Sequence, residues 1–121
     1  MLRRVLKRSP LPLKLSVSAT TRLPRPGETD GVDYHFLSDD EFERCRQEGR
    51  FLECVEVFGK NIWYGTLRDE VVPQMESGRW VVLEIDVEGA RKVRREFSDA
   101  ITIFIHPGSD ETLETRLRGR A

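Results

Sequence analysis

The second half of the chain alternates apolar runs with amphipathic segments, and this alternation limits the fold more than any other feature. Residues 80–87 predict a buried strand that ends in a carboxylate, and residues 100–105 predict a second buried strand. A short helix is predicted between them. A last helix begins after Ser109, its predicted N-cap, with Leu113 and Leu117 on its inner side. This order of strand, helix, strand and helix favours a parallel sheet with crossover helices.

The first half is richer in hairpin-like strands and predicts a small mixed subdomain. Ser38 and Glu41 have the spacing of a capping box, and Pro73 either kinks or divides a later helix. A chain of 121 residues is long enough for one small domain with a buried core. The predicted fold class is therefore α/β, with a parallel sheet, helices and a mixed α/β subdomain. In this half the predicted strands are residues 13–17, 32–37 and 51–58, and the predicted helices are 2–8, 39–49 and 67–77.

The charge balance argues against a general nucleic-acid or membrane binder, because 20 Lys and Arg face 21 Asp and Glu. The charges are unevenly spread, since residues 1–27 hold seven basic and no acidic side chains. No apolar run approaches the roughly 20 residues of a membrane span. Cys45 and Cys54 lack metal-site spacing and are expected to be reduced thiols, so we predict a cytoplasmic protein without a metal site.

Two arginines mark a loop that follows the first predicted strand. Arg22 and Arg25 lie three residues apart, prolines flank Arg25, and no acidic residue precedes Glu28. The arginine fork matches phosphate geometry, and the prolines restrict the backbone before any ligand binds. The loop is either a preorganised anion clamp or an ordinary surface loop with solvated arginines, and the motif alone favours the second. Whether Glu28 contacts a ligand or only orients Arg25 stays open at this point.

Three polar residues have the chemistry to read guanine, whose Watson–Crick edge offers two donor groups and one acceptor. Glu53 lies on a predicted strand, Thr66 follows Gly65, and Asp86 ends a predicted strand. A carboxylate facing the donors and a hydroxyl facing the acceptor would reject analogues that leave these groups unpaired. Open α/β sheets place ligands at the carboxyl ends of their parallel strands. Taken singly, each residue is better explained as a solvated or capping side chain.

Taken together, these residues resemble the guanylate kinase family, and the motifs occur in that family's order with nearly its spacing. The resemblance runs from about residue 13 to residue 120. The motifs are SVSATTR at 16–22, PRPGE at 24–28, GVDYHF at 31–36, FLE at 51–53, YGT at 64–66, LEIDVEGAR at 83–91 and RLRGR at 116–120.

The resemblance implies a P-loop-kinase fold of the adenylate-kinase-like type. Residues 13–19 and 80–121 would form the core and the start of the lid, and residues of about 20–79 would form the GMP-binding subdomain. The implied reaction transfers a phosphoryl group from ATP to GMP with Mg²⁺. The implied phosphate contacts are Arg22, Arg25, Tyr34 and Tyr64, the implied guanine contacts are Ser18, Glu53, Thr66 and Asp86, and the implied catalytic arginines are Arg22, Arg116 and Arg120.

One departure from the family pattern concerns ATP. The sequence contains no G-x-x-x-x-G-K-[ST] loop, whose amides and lysine would hold the ATP phosphates. We therefore expect a fragment that lacks the N-terminal P-loop and the C-terminal helices of guanylate kinase. Such a chain is predicted to bind GMP, to be inactive alone, and to associate with itself through exposed sheet edges.

A second interpretation is a non-catalytic, guanylate-kinase-like module that binds phosphopeptides. Such modules resemble the same region and often lose their guanine contacts, with proline typical at the position that matches Ser18. This sequence keeps Ser18, Glu53, Thr66 and Asp86, so the enzyme family is the better match.

Overall fold

The computed structural model describes residues 2–57 and 59–119. Among these residues, no helix is long and apolar enough to cross a membrane. The helices are α1 (Leu2–Arg8), α2 (Asp39–Gln47), α3 (Arg68–Glu76), α4 (Val87–Glu96) and α5 (Asp110–Arg118). The strands are β1 (Leu13–Leu15), β2 (Ala19–Thr20), β3 (His35–Phe36), β4 (Phe51–Val57), β5 (Ile62–Leu67) and β6 (Trp80–Val82).

The strands form two sheets, one parallel and one mixed. Strands β1 and β6 pair in parallel, with Leu13 opposite Trp80 and Leu15 opposite Val82. The second sheet has the order β3-β2-β5-β4, in which β2 runs parallel to β3 and antiparallel to β5. A parallel pair together with a mixed sheet confirms the predicted α/β class.

Helix α2 begins and ends where local sequence signals predict. The Ser38 hydroxyl accepts a hydrogen bond from the Glu41 amide at 3.2 Å, and the Glu41 carboxylate accepts one from the Ser38 amide at 2.8 Å. These two bonds complete the predicted capping box. Gly49, with φ 68°, follows the helix in the left-handed conformation that ends many helices.

The hydrophobic core lies between α2 and one face of the mixed sheet. Its buried cluster consists of Ala19, Phe42, Cys45 and Phe51, against which Leu37 packs. The rings of Phe42 and Phe51 lie 4.5 Å apart between centroids. This packing leaves the opposite face of the sheet available for polar side chains.

A bulge in β4 places polar and apolar residues of that strand on opposite faces. Phe51 lies opposite Leu67, but Glu53 lies opposite Thr66, so Leu52 is the extra residue. Without the bulge, residues two apart would point to the same face. Phe51 therefore packs in the core while Glu53 turns towards Thr66 on the other face.

Helix α3 is continuous from Arg68 to Glu76 and contains Pro73, so the proline does not divide it. The helix is tied to β3 through His35, whose Nε2 lies 2.6 Å from the Glu70 carboxylate. This contact agrees with a structural role for His35.

The prediction of a buried strand over residues 100–105 was wrong. Ile101, Ile103, Phe104 and Ile105 are 63–81% exposed and belong to no strand. Within the described part of the chain β1 and β6 pair only with each other, and residues 100–105 pair with neither of them. Leu113 and Leu117 are also exposed rather than on an inner face, because no described element covers them.

Three other strands are shorter than predicted. Strands β1, β3 and β6 cover only part of residues 13–17, 32–37 and 80–87, since pairing stops where the neighbouring strand ends. The predicted strand 51–58 is observed as Phe51–Val57, and residue 58 lies outside the described residues.

Candidate functional site

Strand β2 brings together residues that are far apart in the sequence. Its Thr20 lies opposite Tyr64 of β5 and opposite Phe36 of β3. Arg22 follows two residues later, so it lies beside Tyr64, and Tyr34 directly precedes β3. The rings of Tyr34 and Tyr64 meet edge to face, with centroids 5.8 Å apart. Three of the four predicted phosphate contacts, Arg22, Tyr34 and Tyr64, therefore lie in one place.

The Arg22 side chain is held from several directions and is only 13% exposed. Its Nε donates to the Tyr64 hydroxyl at 3.2 Å. Its two terminal nitrogens donate to the Glu28 carboxylate at 3.1 and 2.9 Å. The guanidinium carbon also lies 5.3 Å from the centroid of the Tyr34 ring, within cation–π range. The hydrogen bonds that Arg22 donates to the Glu28 carboxylate raise the pKa of Arg22 and lower the pKa of Glu28.

Arg25 lies on the turn that Glu28 closes. The Glu28 amide donates to the Arg25 carbonyl at 3.0 Å, and Glu28 Oε2 accepts from the Arg25 amide at 2.8 Å. Pro26 and Gly27 occupy the central positions, with φ 87° at Gly27, the order typical of a type II turn. The Arg25 side chain is exposed and makes no hydrogen bond or ion pair among residues 2–57 and 59–119.

The predicted guanine contacts form a second group on the same sheet. The Thr66 hydroxyl donates to Glu53 Oε1 at 2.6 Å, and both residues are buried, at 1% and 6% exposure. Burial is the largest cause that raises the pKa of Glu53, the Thr66 hydrogen bond opposes this, and the nearby Asp86 charge adds to the rise. Glu53 is thus a desolvated carboxylate, and among the described residues Thr66 is the one whose side chain donates to it.

Asp86, at the start of α4, lies close to the Glu53–Thr66 pair. Its Oδ1 accepts a hydrogen bond from the Gly89 amide at 2.7 Å and so caps the helix. A Cβ at Gly89 would lie 2.9 Å from Glu53 Oε2 and 3.2 Å from Asp86 Oδ1. The two carboxylates therefore converge on Gly89, which must be glycine for α4 to approach β4 this closely.

The two groups share one face of the mixed sheet. Tyr64 and Thr66 are two residues apart on β5, so their side chains point the same way, about 7 Å apart along the strand. Gly65 between them faces the core, where a Cβ would lie 2.7 Å from the Phe51 ring. Glycine at this position lets the core pack tightly behind the site.

The remaining predicted residues are less closely grouped. Ser18 lies between β1 and β2, is half-buried, and accepts a hydrogen bond from the His35 amide through its carbonyl at 2.9 Å. Arg116 lies in the last turn of α5 and is exposed. Arg120 lies outside the described residues.

Sequence reasoning assigned no role to Gly89 and left that of Glu28 open. A glycine at the third position of a helix costs stability, so its presence directly after a carboxylate could have indicated close approach to another element. For Glu28 the sequence offered only its spacing from Arg22 and Arg25.

The family model described as guanylate kinase matches residues 1–121. The chain belongs to the guanylate kinase family. It is similar to the guanylate kinase of Rhodopirellula baltica, with 54% identity over 121 residues, which are 99% of this chain and 58% of that protein. It is also 50% identical to the guanylate kinase of Trichormus variabilis, over 99% of this chain and 59% of that protein.

A solved structure agrees with these relatives. The crystal structure of guanylate kinase from Anaplasma phagocytophilum superimposes with a TM-score of 0.83 at 36% identity, covering 97% of this chain and 60% of that chain. The fold and the family inferred from the motifs are thus confirmed. The chain spans only 58–60% of the length of these guanylate kinases, so activity of the whole protein is a separate question.

Proposed function

We propose that this chain forms the GMP-recognition part of a guanylate kinase. The observation that carries the proposal is the arrangement on one sheet face. Arginine and tyrosine side chains gather at one end, and the Glu53–Thr66 pair meets Asp86 at the other. A nucleoside monophosphate has the same polarity, with an anion at one end and a hydrogen-bonding base at the other.

The base end favours guanine over adenine. The Glu53 and Asp86 carboxylates would accept hydrogen bonds from N1–H and the exocyclic amine of guanine. The Ser18 hydroxyl would donate to O6, and the Thr66 hydroxyl, which donates to Glu53, would hold that carboxylate against the base. Adenine offers an acceptor at N1, which would leave the buried Glu53 facing a lone pair. This mismatch makes AMP a poor ligand.

The phosphate end combines rigid and mobile donors. Arg22 is held by its neighbours, whereas Arg25 is exposed, and the Tyr34 and Tyr64 hydroxyls complete the set. Together they would neutralise the charge of the GMP phosphate. In the phosphoryl transfer of the family, Arg22, Arg116 and Arg120 would stabilise charge on the transferring group, and Mg²⁺ with ATP would supply that group.

The residues of this chain do not fit an ATP phosphate cradle. No G-x-x-x-x-G-K-[ST] loop is present in the sequence. Helices α2 to α5 each carry at least one carboxylate in the first turn, so a phosphate at those helix ends would meet like charge. We expect GMP binding by this chain and phosphoryl transfer only when the rest of a guanylate kinase is present.

The exposed apolar segment around Ile103 supports self-association of the chain. Extended, unpaired backbone with apolar side chains is a template for pairing with another copy. Sedimentation velocity over a range of concentrations tests this, and a single monomer species throughout would contradict it.

Calorimetry tests the proposed function directly. The chain is expected to bind GMP, to bind guanosine more weakly, and not to bind AMP. Glu53→Gln should weaken both guanine ligands, while Glu76→Gln, an exposed control, should change neither. Binding of a phosphoserine peptide without GMP binding would favour the phosphopeptide module instead. Sustained GMP-dependent ADP formation by the purified chain would contradict the requirement for a further part.

A further inference from the structure

The Glu28 carboxylate is fully engaged before any ligand is present. Its Oε1 accepts from Arg22 Nη2 at 2.9 Å, and its Oε2 accepts from Arg22 Nη1 at 3.1 Å and from the Arg25 amide at 2.8 Å. The Glu28 side chain is 20% exposed and the Arg22 side chain 13%. A two-pronged ion pair this well shielded from solvent fixes the direction of both partners.

Among the described residues, the hydrogen bonds of Arg22 leave one N–H group of its guanidinium without a partner. Of its five N–H groups, Nε serves Tyr64, the two on Nη1 serve the Leu23 carbonyl and Glu28, and one on Nη2 serves Glu28. The remaining N–H is on Nη2. The ring of Tyr34 covers one face of the group. Arg22 therefore cannot turn freely to meet a phosphate.

The same ion pair changes which residue supplies net positive charge. Glu28 neutralises Arg22, so Arg25 is the cation of this loop whose side chain has no acidic partner among the described residues. Glu28 also closes the turn that carries Arg25, through the amide of Arg25. One carboxylate thus sets the orientation of Arg22 and the backbone position of Arg25.

We propose that Glu28 is a positioning residue for phosphate recognition, an inference that rests on the proposed GMP site. It holds Arg22 against Tyr34 and Tyr64 in advance, so a phosphate meets a fixed N–H group and only Arg25 has to be ordered. Preorganisation of this kind lowers the entropy cost of binding. In the opposite role, the Glu28 carboxylate would occupy the phosphate position and GMP would have to displace it. Removing that carboxylate would then strengthen GMP binding.

Glu28→Gln separates the two roles, because the amide keeps the size of the side chain but loses its charge and one acceptor. If Glu28 is a positioning residue, Glu28→Gln should weaken GMP binding by about tenfold in calorimetry and leave guanosine binding unchanged. Tighter GMP binding, or an equal loss for GMP and guanosine, would overturn the proposal. Glu41→Gln is the matched control, since Glu41 also accepts a backbone amide at 2.8 Å, but in the capping box of α2.

A second readout does not depend on GMP binding. The Nε–H of Arg22 should show slow solvent exchange by NMR in the unsubstituted chain and faster exchange in Glu28→Gln. Unchanged exchange would show that Glu28 does not hold Arg22, and the positioning role would then fail even if GMP binds. If the unsubstituted chain binds neither GMP nor guanosine while the exchange changes as expected, the GMP site itself is wrong, and a phosphate-positioning role for Glu28 fails with it.

Discussion

The mixed sheet with α2 and the segment from β6 to α5 contrast sharply in how they bury apolar side chains. Among residues 2–57 and 59–119, all the buried hydrophobic residues except Val93 lie between residues 19 and 71. Exposed large hydrophobic side chains concentrate in the other region, where Trp80, Ile103 and Phe104 are 51–81% exposed. The region that carries Arg22, Glu53 and Thr66 is thus packed by its own residues, whereas the region that supplies Asp86 is largely not.

The total surface supports the same contrast. The chain exposes 9324 Å², whereas a compact monomer of 14.0 kDa exposes about 6,700 Å². The difference is larger than the roughly 800 Å² that each partner buries in a standard interface. Most of the site therefore lies on a layer stabilised within the chain, while the region from β6 to α5 leaves apolar side chains exposed.

Replacing a phenylalanine by alanine should change the free energy of unfolding very differently in the two regions, and this is the largest difference we expect. Phe42 is 2% exposed and packs on Phe51, so Phe42→Ala should lower the free energy of unfolding by about 3–5 kcal/mol. Phe104 is 73% exposed, so Phe104→Ala should change it by less than about 0.5 kcal/mol. Urea denaturation at low protein concentration measures both. Equal losses would remove the contrast between the regions.

The next effect concerns the close packing behind the site. Gly65→Ala would place a Cβ 2.7 Å from two carbons of the Phe51 ring, and we expect a loss of about 1–3 kcal/mol in unfolding free energy. Gly119→Ala is the control, because among the described residues the nearest atom to the new Cβ would be 3.5 Å away, an ordinary contact. Thermal and urea unfolding would show the difference, and a neutral Gly65→Ala would mean that the sheet and core are looser than described.

The pH dependence of binding tests the buried carboxylate. Burial raises the pKa of Glu53. The ionised form can accept from guanine at both oxygens, whereas the protonated form would place an O–H donor against the donors of guanine. Guanosine affinity should therefore fall as the pH drops through this raised pKa, by about tenfold per pH unit below it. Guanosine is the better probe than GMP here because it has no phosphate that titrates in this range.

The contribution of Glu53 to the free energy of unfolding should change with pH in the opposite direction to guanosine affinity. Because its pKa is higher in the folded state, the folded chain binds more protons than the unfolded chain between the two pKa values. The contribution of Glu53 to stability therefore rises as pH falls. Glu53→Gln should abolish both trends, and guanosine binding that strengthens in acid would contradict the assignment.

Local signals in the sequence were sufficient for some parts of this structure. The capping box of Ser38 and Glu41 depends on residues three apart, and Ser109 and Asp86 cap helices through amides that are equally near. The motifs also identified the family and therefore the fold. The pairing of β2 with β5, which joins Arg22 to Tyr64 across 42 residues, could be inferred only through that resemblance.

Other parts depend on contacts that the sequence does not display. The apolar pattern of residues 100–105 is that of a buried strand, but burial requires a neighbouring strand, and the described residues provide none. The bulge at Leu52 turns Glu53 away from the core, and simple alternation along β4 would have placed Phe51 and Glu53 on the same face. The role of Glu28 required its distances to Arg22.

The smallest expected change in stability accompanies a change in association. Ile103 is 81% exposed, so Ile103→Glu should alter the unfolding free energy of the monomer by less than about 0.5 kcal/mol. A charge in this segment should nevertheless weaken association, because an edge that bears a carboxylate pairs poorly with a second apolar copy. The sedimentation coefficient should then become independent of concentration.

Thr102→Glu provides the matched control for this substitution, since Thr102 is exposed in the same segment and its loss removes no large apolar side chain. If the apolar side chains carry the association, Thr102→Glu should reduce it less than Ile103→Glu does. Equal effects would indicate that added charge alone drives the chains apart. Association that persists in Ile103→Glu would place the contact elsewhere, and the contrast between a self-sufficient site region and an uncovered parallel sheet would lose its functional consequence.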